Sequence, residues 1–317
     1  MDSAAIFGAV MDNMEKVIVG KRKPMELILI ALACEGHVLI EDVPGVGKTS
    51  IVSSLAKSLD LSFNRIQFTP DILPSDITGF SIYNQKSGEF EYRQGAVMSN
   101  IILADEINRT SPKTQSSLLE VMEERQVTVD GITCKLPRPF MIMATQNPID
   151  YIGTYPLPEA QMDRFFIKIS IGYPTIMEES DILLRFQYEN PIDHLKPVAG
   201  REDIIQWQEK VRTVHVDRSL CNYISTLIDG MRRHRDVVLG PSPRGSLALF
   251  RACQAFALFQ GRDYAIPDDI QKMAIPVLEH RIILKQEAKL KKINPSDIIE
   301  EVLRNTRVPV VDDNERK

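Results

Sequence analysis

Lys48 and Thr49, preceded by Gly45 and Gly47, are residues whose types and spacing could bind a phosphate chain. They close the stretch Glu41-Asp42-Val43-Pro44-Gly45-Val46-Gly47-Lys48-Thr49, which follows an apolar run and precedes an amphipathic one. Glycines there let consecutive backbone N–H groups turn toward phosphate oxygens, and the start of the following helix adds its partial positive charge. Lys48 is placed to neutralise β- and γ-phosphates and the Thr49 hydroxyl to ligate Mg²⁺. The expected nucleotide cradle is Asp42, Val43, Pro44, Gly45, Val46, Gly47, Lys48, Thr49 and Ser50. Asp42 stands where the strict phosphate-loop pattern has its first glycine.

Asp105 and Glu106 end the apolar run Ile101-Ile102-Leu103-Ala104. A carboxylate directly after a buried strand needs a cationic partner, and Mg²⁺ is the one expected for Asp105. Glu106 points to the other side and is the expected general base for an attacking water. Asn147 follows a third run, Phe140–Ala144, with an amide able both to donate to a γ-phosphate oxygen and to hold that water. A turn-capping asparagine before Pro148 is the plainer alternative.

These groups need a scaffold. Apolar runs His37–Asp42, Phe63–Phe68, Ile101–Glu106, Phe140–Gln146 and Phe166–Ile171 alternate with helix-like stretches, the pattern of an α/β parallel sheet. In such sheets ligands collect outside the carboxyl ends of the strands, where all three motifs fall. After Pro174 the pattern becomes all-helical: Ile176–Tyr188, Glu202–Val211, Leu220–Arg232, Leu247–Phe259 and Asp268–Leu278. The expected organisation is an α/β domain over 1–190, a linker over 191–200, an all-α lid over 201–285 and a solvated tail over 286–317. Two inserts, Ile82–Phe90 and Gln126–Cys134, read as hairpins, the second with an Asp-Gly turn.

The chain has 317 residues, a net charge of -5 and an estimated pI of about 5.7. No global positive field draws it to nucleic acid or to an anionic membrane. The run Leu27–Cys34 is far shorter than a membrane span, and Asp2 stands where a secretory signal needs basic residues. The expected location is cytoplasmic. Cys34, Cys134, Cys221 and Cys253 are scattered without a CxxC pair, as reduced thiols would be.

Four blocks in order carry a family resemblance over about the first 260 positions. They are the Glu41–Thr49 stretch, Leu103-Ala104-Asp105-Glu106-Ile107-Asn108-Arg109, Ala144-Thr145-Gln146-Asn147-Pro148, and the stretch from Gly153-Thr154-Tyr155 to Asp163-Arg164-Phe165. The chain resembles MoxR-type AAA+ ATPases, within the helix-2-insert group that also holds magnesium chelatase and MCM helicase subunits. The family usually lacks the glycine that Asp42 replaces. The resemblance implies an ATP- and Mg²⁺-dependent ATPase with Lys48 and Thr49 as Walker A, Asp105 and Glu106 as Walker B and Asn147 as sensor 1. Arg164 matches the arginine finger, which reaches the γ-phosphate held by the neighbouring subunit; an ion pair with Asp163 or Glu159 is the alternative. Gly240-Pro241-Ser242-Pro243-Arg244-Gly245 resembles sensor 2, with Arg244 expected at a rigid helix start facing the nucleotide. Val19 and Gly20 lie in a segment resembling the one along the adenine.

The implied partners are further copies of the chain in a ring, most simply a hexamer, and a protein client, in this family one bearing a von Willebrand factor A domain. No nucleic-acid partner and no membrane insertion are expected. The alternatives are a nucleic-acid motor, disfavoured by the acidic balance, and a nucleotide-dependent assembly switch with little hydrolysis, disfavoured by intact Glu106, Asn147 and Arg164.

Overall fold

The computed structural model describes residues 3–147 and 154–309. Pro148, Gly153 and the acidic end of the chain at Asp312 and Asp313 lie outside the described residues.

The runs Val38–Glu41 (β1), Ile101–Asp105 (β5) and Met141–Gln146 (β8) are apolar nearly throughout. Side chains on both faces of such strands must be covered, which suits the interior of a parallel sheet. Phe63–Gln67 (β2) alternates instead, with Ile66 buried and Arg65 and Gln67 exposed, and forms an edge. With Ile167–Ile169 (β9) these strands make a five-stranded parallel sheet of order β2-β5-β8-β1-β9. Gly79–Asn84 (β3) and Glu89–Gln94 (β4) pair as one antiparallel hairpin, and Gln126–Val129 (β6) and Ile132–Lys135 (β7) as another. Asp130 and Gly131 turn the second hairpin with φ of 49° and 81°, as a type I′ turn requires.

The helices of this half are Ser3–Glu15 (α1), Arg22–Ala33 (α2), Lys48–Ser58 (α3), Pro74–Thr78 (α4), Pro112–Glu124 (α5), Glu159–Met162 (α6) and Ile176–Arg185 (α7). The lid contributes Arg201–Val211 (α8), Arg218–Arg232 (α9), Pro243–Phe259 (α10), Pro267–Leu278 (α11), Gln286–Leu290 (α12) and Pro295–Asn305 (α13). Val237–Leu239 (β10) and Ile283–Leu284 (β11) form a small antiparallel pair in the lid. Helix α9 shows why these segments are helical: Leu220, Tyr223, Ile224, Leu227, Ile228 and Met231 recur at spacings of three and four and are all buried.

One apolar core runs from the sheet through α1 and α2 into the lid. Phe7 of α1 stacks on Phe259 of α10 at 4.2 Å between ring centroids, and Trp207 of α8 meets the same ring edge-on at 5.0 Å. The lid is therefore packed against the helical layer of the α/β domain.

Two expected boundaries are corrected. The stretch 191–200 is not a loose linker: Val198 and Ala199 donate to the Ser58 carbonyl, and the Asn13 amide donates to the Lys196 carbonyl. The tail expected from 286 onward is folded through Asn305, with Ala288, Ile298, Ile299 and Val302 in the core. The reason is an amphipathic pattern on α13 together with Gly230 on α9, where a Cβ would come within 3.1 Å of Val302.

Candidate functional site

At the carboxyl end of the sheet β1 delivers Asp42 and the loop into α3, β5 delivers Asp105 and Glu106, and β8 delivers Asn147. Gly45 and Gly47 both have a φ of 87°, a region that side chains resist. A Cβ at either would meet nothing within 4 Å, so the backbone angle and not crowding calls for glycine, and the space before the loop is open. Gly47 caps α3, whose first turn begins with Lys48 and the half-buried Thr49 and Ser50. Val46 is buried and roots the loop in the core, while Val43 is half-buried and Pro44 exposed.

The Asp42 side chain does something other than face a nucleotide. Its carboxylate accepts from the amides of Val43, Ile171 and Gly172 and from the Ser170 hydroxyl. Burial by itself would raise its pKa, but these donors outweigh burial and hold it below the usual carboxylate value. Asp42 thus ties the phosphate loop to the chain leaving β9, and only its carbonyl faces the cradle, accepting from Lys48 Nζ at 2.7 Å. Burial draws the Lys48 pKa below the ordinary lysine value, while the charges of Asp105, Asp42 and Glu106 act in the opposite sense. The structure therefore brings the ammonium and both acids together.

Asp105 accepts from the Thr145 hydroxyl at 2.6 Å on one oxygen and from Arg65 on the other. Arg65 is thus a cation beside this carboxylate that the sequence reading did not anticipate. Glu106 has φ 58° and ψ 48°, a strained left-handed backbone for a residue with a side chain. Its amide donates to Thr145, and its carboxylate receives Gln67 Nε2 at 2.9 Å and Arg109 at 3.2 Å. Asn147 is 8% exposed and follows Gln146, whose carbonyl accepts from the Asp42 amide at 3.2 Å. A hydroxyl at Thr49 and a carboxylate at Asp105 are hard oxygen donors, the kind Mg²⁺ takes beside phosphate, so the donor set fits that ion. Among the described residues no group of three or more His, Cys, Asp or Glu could hold a metal without phosphate.

Val19 is half-buried and Gly20 exposed, between the buried Val17 and Ile18 and the start of α7. Lys21 Nζ donates to the Tyr173 carbonyl, which holds this segment beside the β9–α7 connection that Asp42 grips.

Arg164 and Arg244 sit elsewhere. The Phe166 amide donates to the His37 carbonyl, which marks the amino ends of β9 and β1. From Phe166 to Ser170 the extended chain covers on the order of 13 Å. Arg164 pairs with Glu123 at 3.1 Å and donates to the Leu119 carbonyl, and Arg244 pairs with the other oxygen of Glu123. The partner of Arg164 is thus Glu123, not Asp163 or Glu159. Arg244 does stand in the first turn of α10, capped by the Ser242 hydroxyl, but it faces Arg164 and not the phosphate loop of its own chain. In the single chain Arg244 thus lies beside Glu123 and Arg164, where the lid packs near the amino end of the sheet.

Asp163 fastens the two arginines together. Its carboxylate accepts from Ser242 at 2.8 Å and from Arg281 at 2.7 Å. Arg281, buried in the lid, also donates to the Asp163, Phe165 and Phe166 carbonyls. Burial pushes its pKa down to about 10 against the pull of Asp163. A cavity of about 330 Å³ opens beside this group, lined in part by Glu123, Arg164, Arg244, Leu247 and Arg251.

Arg65, Gln67, Glu123 and Arg281 were not legible as site residues. Arg65 and Gln67 recur with period two on an edge strand, and only the pairing of Gln67 with Asp105 across the sheet gives that recurrence meaning.

Residues 37–167 match the model of the ATPase family associated with various cellular activities, and residues 230–302 match the AAA lid domain. The chain is 54% identical to the uncharacterised protein YeaC of Bacillus subtilis over 98% of its own length and 97% of that protein. It is 42% identical to the chaperone MoxR1 of Mycobacterium tuberculosis, covering 94% of this chain and 81% of that one. The crystal structure of a candidate ATPase from Cytophaga hutchinsonii superposes with a TM-score of 0.92 at 41% identity, covering 97% of this chain and 96% of that one. With the phosphate loop, the acid pair and the helical lid in these positions, the chain belongs to the MoxR family of AAA+ ATPases.

Proposed function

We propose that the protein binds ATP with Mg²⁺, hydrolyses it at the carboxyl end of the sheet, and uses the cycle as a ring to remodel a protein client. The observation that carries this reading is the convergence of Lys48, Asp105 and Glu106 around the open loop of Gly45 and Gly47. The amides of Val43 to Ser50, Pro44 excepted, and Lys48 bind the phosphates. Thr49 and, through water, Asp105 would hold Mg²⁺, which would supply charge neutralisation at the β- and γ-phosphates. Asn147 orients a water for in-line attack on the γ-phosphorus, Glu106 takes its proton, and the bond to the β–γ bridging oxygen breaks to leave ADP and phosphate. Gln67 and Arg109 both hold Glu106 through Oε2, which leaves Oε1 to take that proton. Val19 and Gly20 line the base through backbone and apolar contact.

Arg164 and Arg244 are held by Glu123 near the amino end of the sheet, and both are permanently charged and half-exposed. We read them as a pair that stabilises transition-state charge on the nucleotide of the next copy, with Glu123 holding them until it docks. This makes the active unit a ring, and a hexamer is the simplest closure. A protein client fits the name of the chaperone relative better than nucleic acid fits an acidic chain. A von Willebrand factor A domain is the client class we would test first. Among the described residues no helix is long and apolar enough to cross a membrane.

Lys48→Ala is expected to abolish nucleotide binding. Glu106→Gln should keep binding and lose turnover by at least about 100-fold. Mixing Arg164→Ala with Glu106→Gln chains should restore part of the activity, because the intact Arg164 of one then faces the intact Glu106 of the other. Stable mixed assemblies without recovery would refute action across subunits. Capture of a client by the Glu106→Gln chain with ATP would identify the protein it works on.

A further inference from the structure

Glu35, just past the end of α2, gathers more cations than one carboxylate needs. Its Oε1 accepts from Arg138 at 3.0 Å and pairs with Arg125 at 3.2 Å, its Oε2 accepts from Arg212 at 2.6 Å, and Arg125 also donates to the Glu35 carbonyl. The Arg138 and Arg212 side chains are each 60% exposed and are bonded to Glu35 through one nitrogen apiece. A guanidinium has five N–H donors, so most of theirs stay open. With Lys135 and Glu124 these groups line a cavity of about 390 Å³, four cations against two carboxylates. Gln208 of α8 lines the same cavity and is only 4% exposed. Its Nε2 donates to the Leu32 carbonyl at 3.0 Å, which fixes the orientation of the amide, while its Oε1 is buried and accepts no hydrogen bond from the described residues. An unpaired buried acceptor is costly, and beside a cavity it calls for a donor from the occupant.

We propose that this cavity is a binding site for a phosphate group, free or borne on a small molecule, with its oxygens on Arg125, Arg138 and Arg212 and a hydrogen-bond donor of the ligand on Gln208 Oε1. The lining charges leave an excess of two positive, which a phosphate dianion matches, and the planar fork of a guanidinium fits its oxygens. Near neutral pH inorganic phosphate keeps at least one O–H to give to Gln208, whereas sulfate, of similar shape and charge, keeps none. A phosphate monoester can bring the donor on its organic part, and the cavity falls within the roughly 300–1,000 Å³ of small-molecule pockets. Burial by itself would raise the Glu35 pKa, but Arg125, Arg212 and Arg138 outweigh burial and hold it below the usual carboxylate value. Glu35 thus stays charged and spaces the three guanidiniums, and the donor for Gln208 has to come from the ligand. Phe140, at the start of β8, lines the cavity, while the other end of that strand delivers Asn147, so the site stands apart from the phosphate loop and does not depend on the ATPase reading. Gln208 and Arg212 belong to the lid and Arg125 and Arg138 to the α/β half, so a bound phosphate would fasten one to the other.

The test is titration calorimetry on the full chain carrying Lys48→Ala, which weakens the phosphate loop as a rival site, with inorganic phosphate, glycerol 3-phosphate and sulfate as probes. Inorganic phosphate is expected to bind with a Kd below about 1 mM, and sulfate at least about 10-fold more weakly because it leaves the Gln208 acceptor unpaired. Arg138→Gln with Arg212→Gln should weaken phosphate at least about 10-fold. Gln208→Met should bring phosphate down to the affinity of sulfate and leave sulfate where it was, a selective loss that general damage to the fold does not produce. Tighter binding of glycerol 3-phosphate than of inorganic phosphate assigns the site to a phosphorylated small molecule, and the reverse order assigns it to the free anion. Equal affinity for phosphate and sulfate in the chain with Gln208 intact would overturn the proposal and make the cluster a plain patch of charge. No binding of any probe up to about 10 mM would overturn it too, as would phosphate binding that survives the loss of both arginines. Should the double variant fail to fold, Arg138→Gln alone decides, since that side chain is exposed and its one partner is Glu35.

Discussion

Arg65 occupies one oxygen of Asp105. Under the proposed Mg-ATP reading, the ion would compete with that guanidinium or share the carboxylate through water. The pair is half-open to solvent, so its worth is about 1 kcal/mol. Arg65→Met is therefore expected to lower the Mg²⁺ concentration for half-maximal turnover about fivefold, with a loss of folding stability of no more than about 1 kcal/mol. A magnesium titration of the two proteins checks this, and an unchanged midpoint would make Arg65 a plain surface ion pair. The strained backbone at Glu106 belongs to the same scale: a left-handed residue persists only where its surroundings impose it. Here the Thr145 hydroxyl, bonded to both the Glu106 amide and the Asp105 carboxylate, is that constraint.

Among the elements, the start of α10 and the turn Glu279–Arg281 act as one jaw on the Asp163–Phe166 segment. Gly245 leaves the room: a Cβ there would come within 3.0 Å of the Arg281 side chain. Arg281 makes four bonds to that segment, so a lysine in its place keeps the charge and loses most of the bonds. Arg281→Lys is expected to cut turnover by more than about 10-fold while leaving nucleotide affinity unchanged, since the phosphate loop lies at the other end of the sheet. Turnover and equilibrium binding measured on the same assembled protein separate the two effects. A parallel fall in affinity would show that the jaw supports the fold at large and not the two arginines.

At the level of the whole molecule, two buried histidines sit where the layers join. His37 accepts from the Ile142 amide on Nδ1 and faces the Met122 carbonyl with Nε2, which fixes its neutral form. Burial lowers its pKa to about 4, and burial likewise holds His280, bonded to the Phe165 carbonyl, well below the usual value. For a histidine whose folded pKa is depressed, the unfolded chain binds the proton first. Stability is then fully present above about pH 6.5 and is lost as the pH falls toward 4. For His37 alone the loss between pH 7 and pH 5 is about 2 kcal/mol. Urea midpoints across that range should fall accordingly, and a flat profile would mean that neither ring is neutral in the native state.

The phosphate loop, the acid pair, the parallel sheet and the helical second half could all be read along the chain. Each depends on short-range rules: glycine angles, strand-length apolar runs, and a change of hydrophobic period after Pro174. Even the hairpin at Asp130 and Gly131 followed from two residues. The roles of Arg65, Asp42 and Arg244 could not be read that way, because each depends on which distant segment packs beside it. Strand order sets Arg65 against Asp105, the chain leaving β9 claims Asp42, and the seating of the lid at the amino end of the sheet turns Arg244 away from its own phosphate loop. Local sequence specifies what a residue can do; burial and strand order specify which partner is there to do it with.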